Sequence, residues 1–262
     1  MVFADHPIPF RFNMKLTAII LAALALAPVS RGAEPEAKSA PAMDAKVPRA
    51  ATPRPKTEKP GWMAQHDSLT AQARKGNIDL LFIGDSLTKC WSREGRDVWT
   101  ARFAKLGARN FGISGDCTEN LLWRIQNGEL ENIKPKAVVL LIGTNNITLG
   151  DSPQDIAVAV AAILGEIRRR LPDSRILLLG VLPRRENADH RDRETIRTLN
   201  GLLSRLQNGN HVTYLDFGAK LLQPDGSMSK EVTTDFTHLT PKGYGIFAES
   251  IEPVLIPLFA KP

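Results

Sequence analysis

Three short apolar runs, 78–83 (IDLLFI), 137–142 (AVVLLI) and 176–182 (ILLLGVL), constrain this chain more than any other feature of its sequence. Short runs with so little polar alternation fit strands covered on both faces, as in a parallel sheet. The segments 108–113 (ARNFGI) and 212–217 (VTYLDF) are weaker strand candidates. Between them the apolar period becomes helical. In 152–171, Ile156, Val160, Ile163, Leu164, Ile167 and Leu171 share one helix face, with 168–170 (RRR) turned outward. In 191–208, Ile196, Leu199, Leu202, Leu203 and Leu206 do the same. Pro241 suits the first turn of a last helix. Parallel-type strands alternating with helices predict one α/β sandwich domain. About 200 residues suffice to bury its core.

The first sixty residues are of another kind. Residues 16–29 (LTAIILAALALAPV) carry no charge, follow Lys15 and lead to Ser30, Gly32 and Ala33. A bilayer span needs about 20 apolar residues, so the run is too short for one and fits a secretory signal peptide within 1–33. A buried helix is the competing reading. Met14-Lys15 is a more ordinary start for such a leader than Met1. Export, to the outside or to a periplasm, is the expectation, with no transmembrane anchor after cleavage. Residues 34–60 are rich in Pro, Ala and charge and have almost no large apolar side chain, which predicts a disordered linker ahead of a domain at 61–262.

This division also disposes of the charge. The 262 residues carry a formal +6, and the pI of about 9.4 raises nucleic acid as a partner. Residues 1–60 hold nine basic and five acidic side chains, and 61–262 hold 25 and 23. The domain is nearly balanced and has no nucleic-acid motif, so no nucleic-acid partner is expected. Two cysteines exclude a disulfide scaffold and a multi-cysteine metal site.

In open parallel sheets the chemistry gathers in loops at the carboxyl ends of the strands. Four such loops or segments carry candidates. After the first strand, Gly84-Asp85-Ser86 places a serine at a strand-to-helix turn, where its hydroxyl is exposed and its backbone N–H free. An ordinary helix cap by Ser86 is the competing reading. Gly115 lies in the loop after the next strand, and Asn145 after the third, where an amide N–H could meet developing negative charge. Plain turns account for either alone. Asp235 and His238, three apart, could meet on one helical turn and make a base with its orienting carboxylate. His6, His66, His190 and His211 occupy less suitable places. Trp91, Trp99 and Trp123 fit core packing better than a pocket lining.

Taken in order, GDS, a glycine, GxN and DxxH resemble the SGNH (GDSL-type) hydrolase superfamily. The stretch 110–146, NFGISGDCTENLLWRIQNGELENIKPKAVVLLIGTNN, also resembles the catalytic subunits of intracellular platelet-activating-factor acetylhydrolase. The similarity runs from about residue 62 to the end. It implies a flavodoxin-like three-layer α/β/α sandwich on a five-stranded parallel sheet, without metal or cofactor. It implies Ser86 as nucleophile, His238 as base and Asp235 as its partner. The implied oxyanion hole is the backbone N–H groups of Ser86 and Gly115 with the side-chain amide of Asn145.

Cys90 follows Ser86 by four residues and Cys117 follows Gly115 by two. A disulfide beside the site and two separate buried thiols are both open. The reading that results is a serine esterase removing a short acyl group, acetyl foremost, from an oxygen ester, with a small molecule or acetylated carbohydrate as substrate. Rivals are an acyltransferase to a sugar hydroxyl, a lysophospholipase or arylesterase, and, last, a non-catalytic glycan-binding module. The sequence leaves the oligomeric state open.

Overall fold

A computed structural model describes residues 47–260. Five strands, β1 (Leu80–Gly84), β2 (Ala108–Gly112), β3 (Ala137–Leu141), β4 (Arg175–Leu179) and β5 (Val212–Leu215), form one parallel sheet in the order β2-β1-β3-β4-β5. Each falls within, or one residue from, a run expected from the sequence. The helices are α1 (Trp62–Arg74), α2 (Ser86–Lys89), α3 (Arg96–Arg102), α4 (Thr118–Gln126), α5 (Thr144–Thr148), α6 (Pro153–Arg170), α7 (Arg191–Leu203) and α8 (Pro241–Ala260). Among the described residues no helix is long and apolar enough to cross a membrane.

The strands are apolar throughout because both faces are covered. Leu81, Ile83, Val138, Leu140, Ile176 and Leu178 pack against α4, α6 and α7, whereas Leu80, Phe82, Val139, Leu141, Leu177 and Leu179 pack against α2 and α8. This period-2 alternation makes a three-layer sandwich. Trp91 lies in the second layer against Phe82, Phe103, Tyr244 and Phe247, and Trp123 packs on Trp62 and His66. Core packing is thus the role of these rings.

Register decides where the loops emerge. Gly84, Gly112 and Leu141 stand level at the ends of three adjacent strands. A Cβ on Gly84 would lie 2.1 Å from the Leu141 carbonyl oxygen, so only glycine permits this approach. The chain passes from β1 outward to β2 and then returns across β1 to β3 on its other side. The crevice beyond such a switch point is where ligands bind in these sheets.

The linker expected over 34–60 is corrected over its described part. Residues 49–51 form a turn of 3-10 helix whose Ala50 and Ala51 are buried against Ala159 of α6. The Thr118 hydroxyl donates to the Ala50 carbonyl at 2.8 Å, and Asn120 Nδ2 to that of Arg54 at 3.0 Å. Arg49 pairs with Glu119 and Asp151. Small side chains fit a groove that large ones could not, and polar bonds supply the rest. The expected signal peptide at 1–33 and residues 34–46 lie outside the described residues. A chain starting at 47 should resist urea better than one starting at 61, by on the order of 2 kcal/mol for the lost hydrogen bonds. Equal unfolding midpoints would contradict the packing.

Candidate active site

Ser86, His238 and Asp235 form one hydrogen-bonded chain at the carboxyl edge of the sheet. His238 Nε2 lies 2.9 Å from Ser86 Oγ, and His238 Nδ1 lies 2.8 Å from Asp235 Oδ2. A carboxylate only accepts, so Nδ1 carries the hydrogen toward Asp235 and Nε2 is left to accept the serine proton.

The competing reading of Ser86 as a helix cap is displaced by its neighbour. Asp85 is the N-cap of α2, its Oδ1 accepting the Leu87 N–H at 2.9 Å. Ser86 is therefore the first helical residue, with its hydroxyl spared for His238. The Tyr244 hydroxyl of α8 donates to the Leu87 carbonyl at 2.7 Å and fastens this turn to the core.

Asp85 is fully buried, and its Oδ2 has no hydrogen-bond partner among the described residues. Burial pushes its carboxyl up to about 7, against the Leu87 hydrogen bond and the nearby His238, while nearby Asp116 pushes the same way. Asp235 behaves oppositely. Burial disfavours its charge, but hydrogen bonds from the His238 backbone and ring and from the Thr237 backbone outweigh this, holding it below the usual carboxylate range.

The Asp235–His238 pair does not lie on a helical turn, which corrects the expectation. It occupies a bend closed by an isolated bridge between Thr233 and Leu239, just ahead of α8. Asp235 Oδ1 accepts the N–H groups of Thr237 and His238 at 3.1 and 2.7 Å, and Oδ2 takes the ring. One carboxylate thus orders both loop and imidazole. Phe236 between them holds a positive φ of 60°, unusual for a bulky residue. Its carbonyl accepts the N–H of Arg185, itself at φ 70°.

Gly115 stands at φ 81°, a conformation that favours glycine. Its N–H has no partner among the described residues. Asn145, the second residue of α5, donates one amide hydrogen from Nδ2 to the Asp116 carbonyl at 2.8 Å. An amide has two such hydrogens, so one remains.

Sequence reading missed the support beneath these loops. Arg124, buried completely, donates from Nε to Asp116 and from Nη1 to Glu129, and its guanidinium reaches the Phe111 and Gly84 carbonyls. Burial opposes its charge, but Glu129 and Asp116 more than offset this and raise its pKa. Trp62 Nε1 donates to Asp116 at 2.6 Å, and His66 Nδ1 lies 3.0 Å from Glu129. Arg184, buried beside Asp192, donates to the Thr144 carbonyl and the Thr148 hydroxyl of α5. An arginine on an otherwise mixed helix face carries no signal of such burial. His190 caps α7 by accepting the Asp192 N–H, and His211 precedes β5, so neither joins the site. Cys90 and Cys117 are separate free thiols, so the bridge left open by the sequence is not formed.

Removing the guanidinium would leave two buried carboxylates without their shared cation. Arg124→Met should cost about 3–5 kcal/mol in urea unfolding. Asp85 gives a pH test. Its folded-state pKa is raised, so its proton stabilises the fold fully below the ordinary value of 3.8 and the benefit is lost as pH rises through about 7. Asp85→Asn keeps a capping oxygen, and its melting temperature should fall less between pH 5 and pH 8 than that of the parent protein. Parallel curves would refute this.

With the geometry in hand, comparison with known proteins places the chain. Residues 82–246 match the GDSL-like Lipase/Acylhydrolase family. Platelet-activating factor acetylhydrolase IB subunit alpha2 of Rattus norvegicus is 34% identical over 197 residues, 75% of this chain and 84% of that protein. Subunit alpha1 of Homo sapiens is 34% identical over 201 residues, 76% and 85% of the two chains. A GDSL-like lipase from Bacteroides thetaiotaomicron superposes with a TM-score of 0.58 at 19% identity, covering 74% and 97%. An acetylxylan esterase from Geobacillus stearothermophilus does so at 0.54 and 19%, covering 71% and 96%. These two likenesses bear on the fold alone. The chain belongs to the GDSL-like lipase/acylhydrolase family and is an SGNH-type esterase.

Proposed function

We propose that the protein hydrolyses short-chain oxygen esters, acetyl esters foremost, through a serine acyl-enzyme. The observation that carries this is the Ser86–His238–Asp235 chain, with contacts of 2.9 and 2.8 Å at the switch point of the sheet. His238 Nε2 takes the Ser86 proton as Oγ attacks the ester carbonyl, and Asp235 stabilises the imidazolium and its orientation. Negative charge then develops on the carbonyl oxygen. The N–H groups of Ser86 and Gly115 and the spare amide hydrogen of Asn145 would receive it. His238 returns the proton to the departing alcohol, and a water deprotonated by the same nitrogen releases the acid and frees Ser86.

Acetyl preference is supported by the 34% identical relatives whose name carries that group, the acetylhydrolase subunits. Acetylated carbohydrate is the favoured substrate class, in keeping with export through the charge-free run at 16–29.

Ser86→Ala should lower kcat on 4-nitrophenyl acetate roughly 10,000-fold or more and abolish labelling by a fluorophosphonate. Asn145→Ala should lower kcat about 100- to 1,000-fold. Parent-like turnover by Ser86→Ala would overturn the reading, and product analysis with an added polyol separates hydrolysis from transfer.

A further inference from the structure

The segment that joins residue 47 to α1 runs across the Gly115 loop and grips it in sequence. Lys59 Nζ donates to the Ser114 carbonyl, Lys56 Nζ to the Gly115 carbonyl at 2.5 Å, and Trp62 Nε1 to the Asp116 carboxylate at 2.6 Å. Two backbone turns, Lys59 N–H to Lys56 O and Trp62 N–H to Lys59 O, both 3.1 Å, set this spacing. Asn145 holds the next carbonyl, that of Asp116. Three consecutive carbonyls of one loop are therefore each held by a side chain from elsewhere. Neither lysine has a carboxylate within salt-bridge distance among the described residues.

A trans peptide points its C=O and its N–H in opposite directions. The peptide whose carbonyl Lys59 holds is the one that carries the Gly115 N–H. The peptide whose carbonyl Lys56 holds carries the Asp116 N–H, which is already committed to the Ile113 carbonyl at 3.3 Å. The two lysines thus have equal charge and neighbouring targets but unequal consequences. Glycine at φ 81° gives the loop little resistance to rotation of these peptides, so an external grip is what fixes them.

We propose that Lys59 is a positioning residue of the oxyanion hole: its ammonium fixes and polarises the Ser114–Gly115 peptide so that the Gly115 N–H faces the developing oxyanion. This rests on the esterase reading above. It makes 47–60 a working part of the catalytic domain. Lys59 touches no substrate atom. Its effect belongs to the transition state, so it enters kcat rather than KM.

The test compares Lys59→Met, Lys59→Arg and Lys56→Met in the full chain on 4-nitrophenyl acetate, with kcat referred to sites counted by fluorophosphonate burst. Lys59→Met should lower kcat about 10-fold or more, with KM within about twofold. Lys59→Arg, which keeps a cationic donor, should recover most of that loss, and Lys56→Met should lose far less. Parent-like kcat in Lys59→Met, equal losses from both methionine variants, a loss confined to KM, or no recovery by arginine would each overturn the proposal. Ser86→Ala, assayed alongside, keeps the two levels apart. If it is inactive while Lys59→Met is parent-like, only the role of Lys59 falls. If it is active, the esterase reading falls.

Discussion

The buried guanidinium of Arg124 is the constraint on which the site depends. A guanidinium in a dry interior is costly unless nearly every donor finds an acceptor. Here the acceptors are the carboxyl ends of β1 and β2, through the Gly84 and Phe111 carbonyls, and the carboxylates of Asp116 and Glu129. The strand that presents Ser86 and the loop that presents Gly115 are thereby tied to one rigid planar group. His66 and Trp62 extend the tie to α1, so a helix remote in sequence helps to set the same edge. One cation faces two carboxylates in this cluster, and the His66 imidazole shares Glu129 with it.

The candidate machinery divides into a stiff half and a looser half. Ser86, Gly115 and Asn145 leave three adjacent strands and are backed by side chains that are themselves buried. Asp235 and His238 sit in an irregular bend, with Asp235 exposed at 55% of its side chain and His238 at 38%. Water competes at such a carboxylate, so its attraction for the imidazolium is weaker than a buried partner's would be. Its more dependable contribution is geometric, through the three bonds it accepts. Arg184 and Arg185 join the halves, the first reaching α5 and the second the Phe236 carbonyl.

The strands were legible because burial on both faces leaves a mark that composition alone reveals: AVVLLI at 137–142 has no polar position to confuse it. The long helices α6 and α7 were legible for the matching reason. Helix α1 was not, since it buries His66 and Thr70 beside Trp62 and so lacks an apolar stripe. α4 was hidden likewise by buried Glu119, Asn120 and Arg124. The residues of the candidate site were found from strand-end position and from their joint order. The bend around Phe236 could not be, because a left-handed phenylalanine is imposed by its surroundings and has no local code. The segment 47–60 misled for a general reason. Sparse large hydrophobes signal disorder only where polar contacts are absent, and here Arg49, Lys56 and Lys59 supply them.

The two thiols have a consequence of their own. Burial pushes the Cys90 sulfur up to about 11 and that of Cys117 up to about 12. Thiolate is the form that attacks disulfides and captures oxidants, and at neutral pH almost none is present at either position. Cys117 is also the capping residue of α4, its backbone N–H donating to Asn120 Oδ1 at 2.9 Å. Its place in the chain is thus secured without a covalent partner. The arrangement around Ser86 is accordingly held by packing and hydrogen bonds, with no sulfur cross-link in its support.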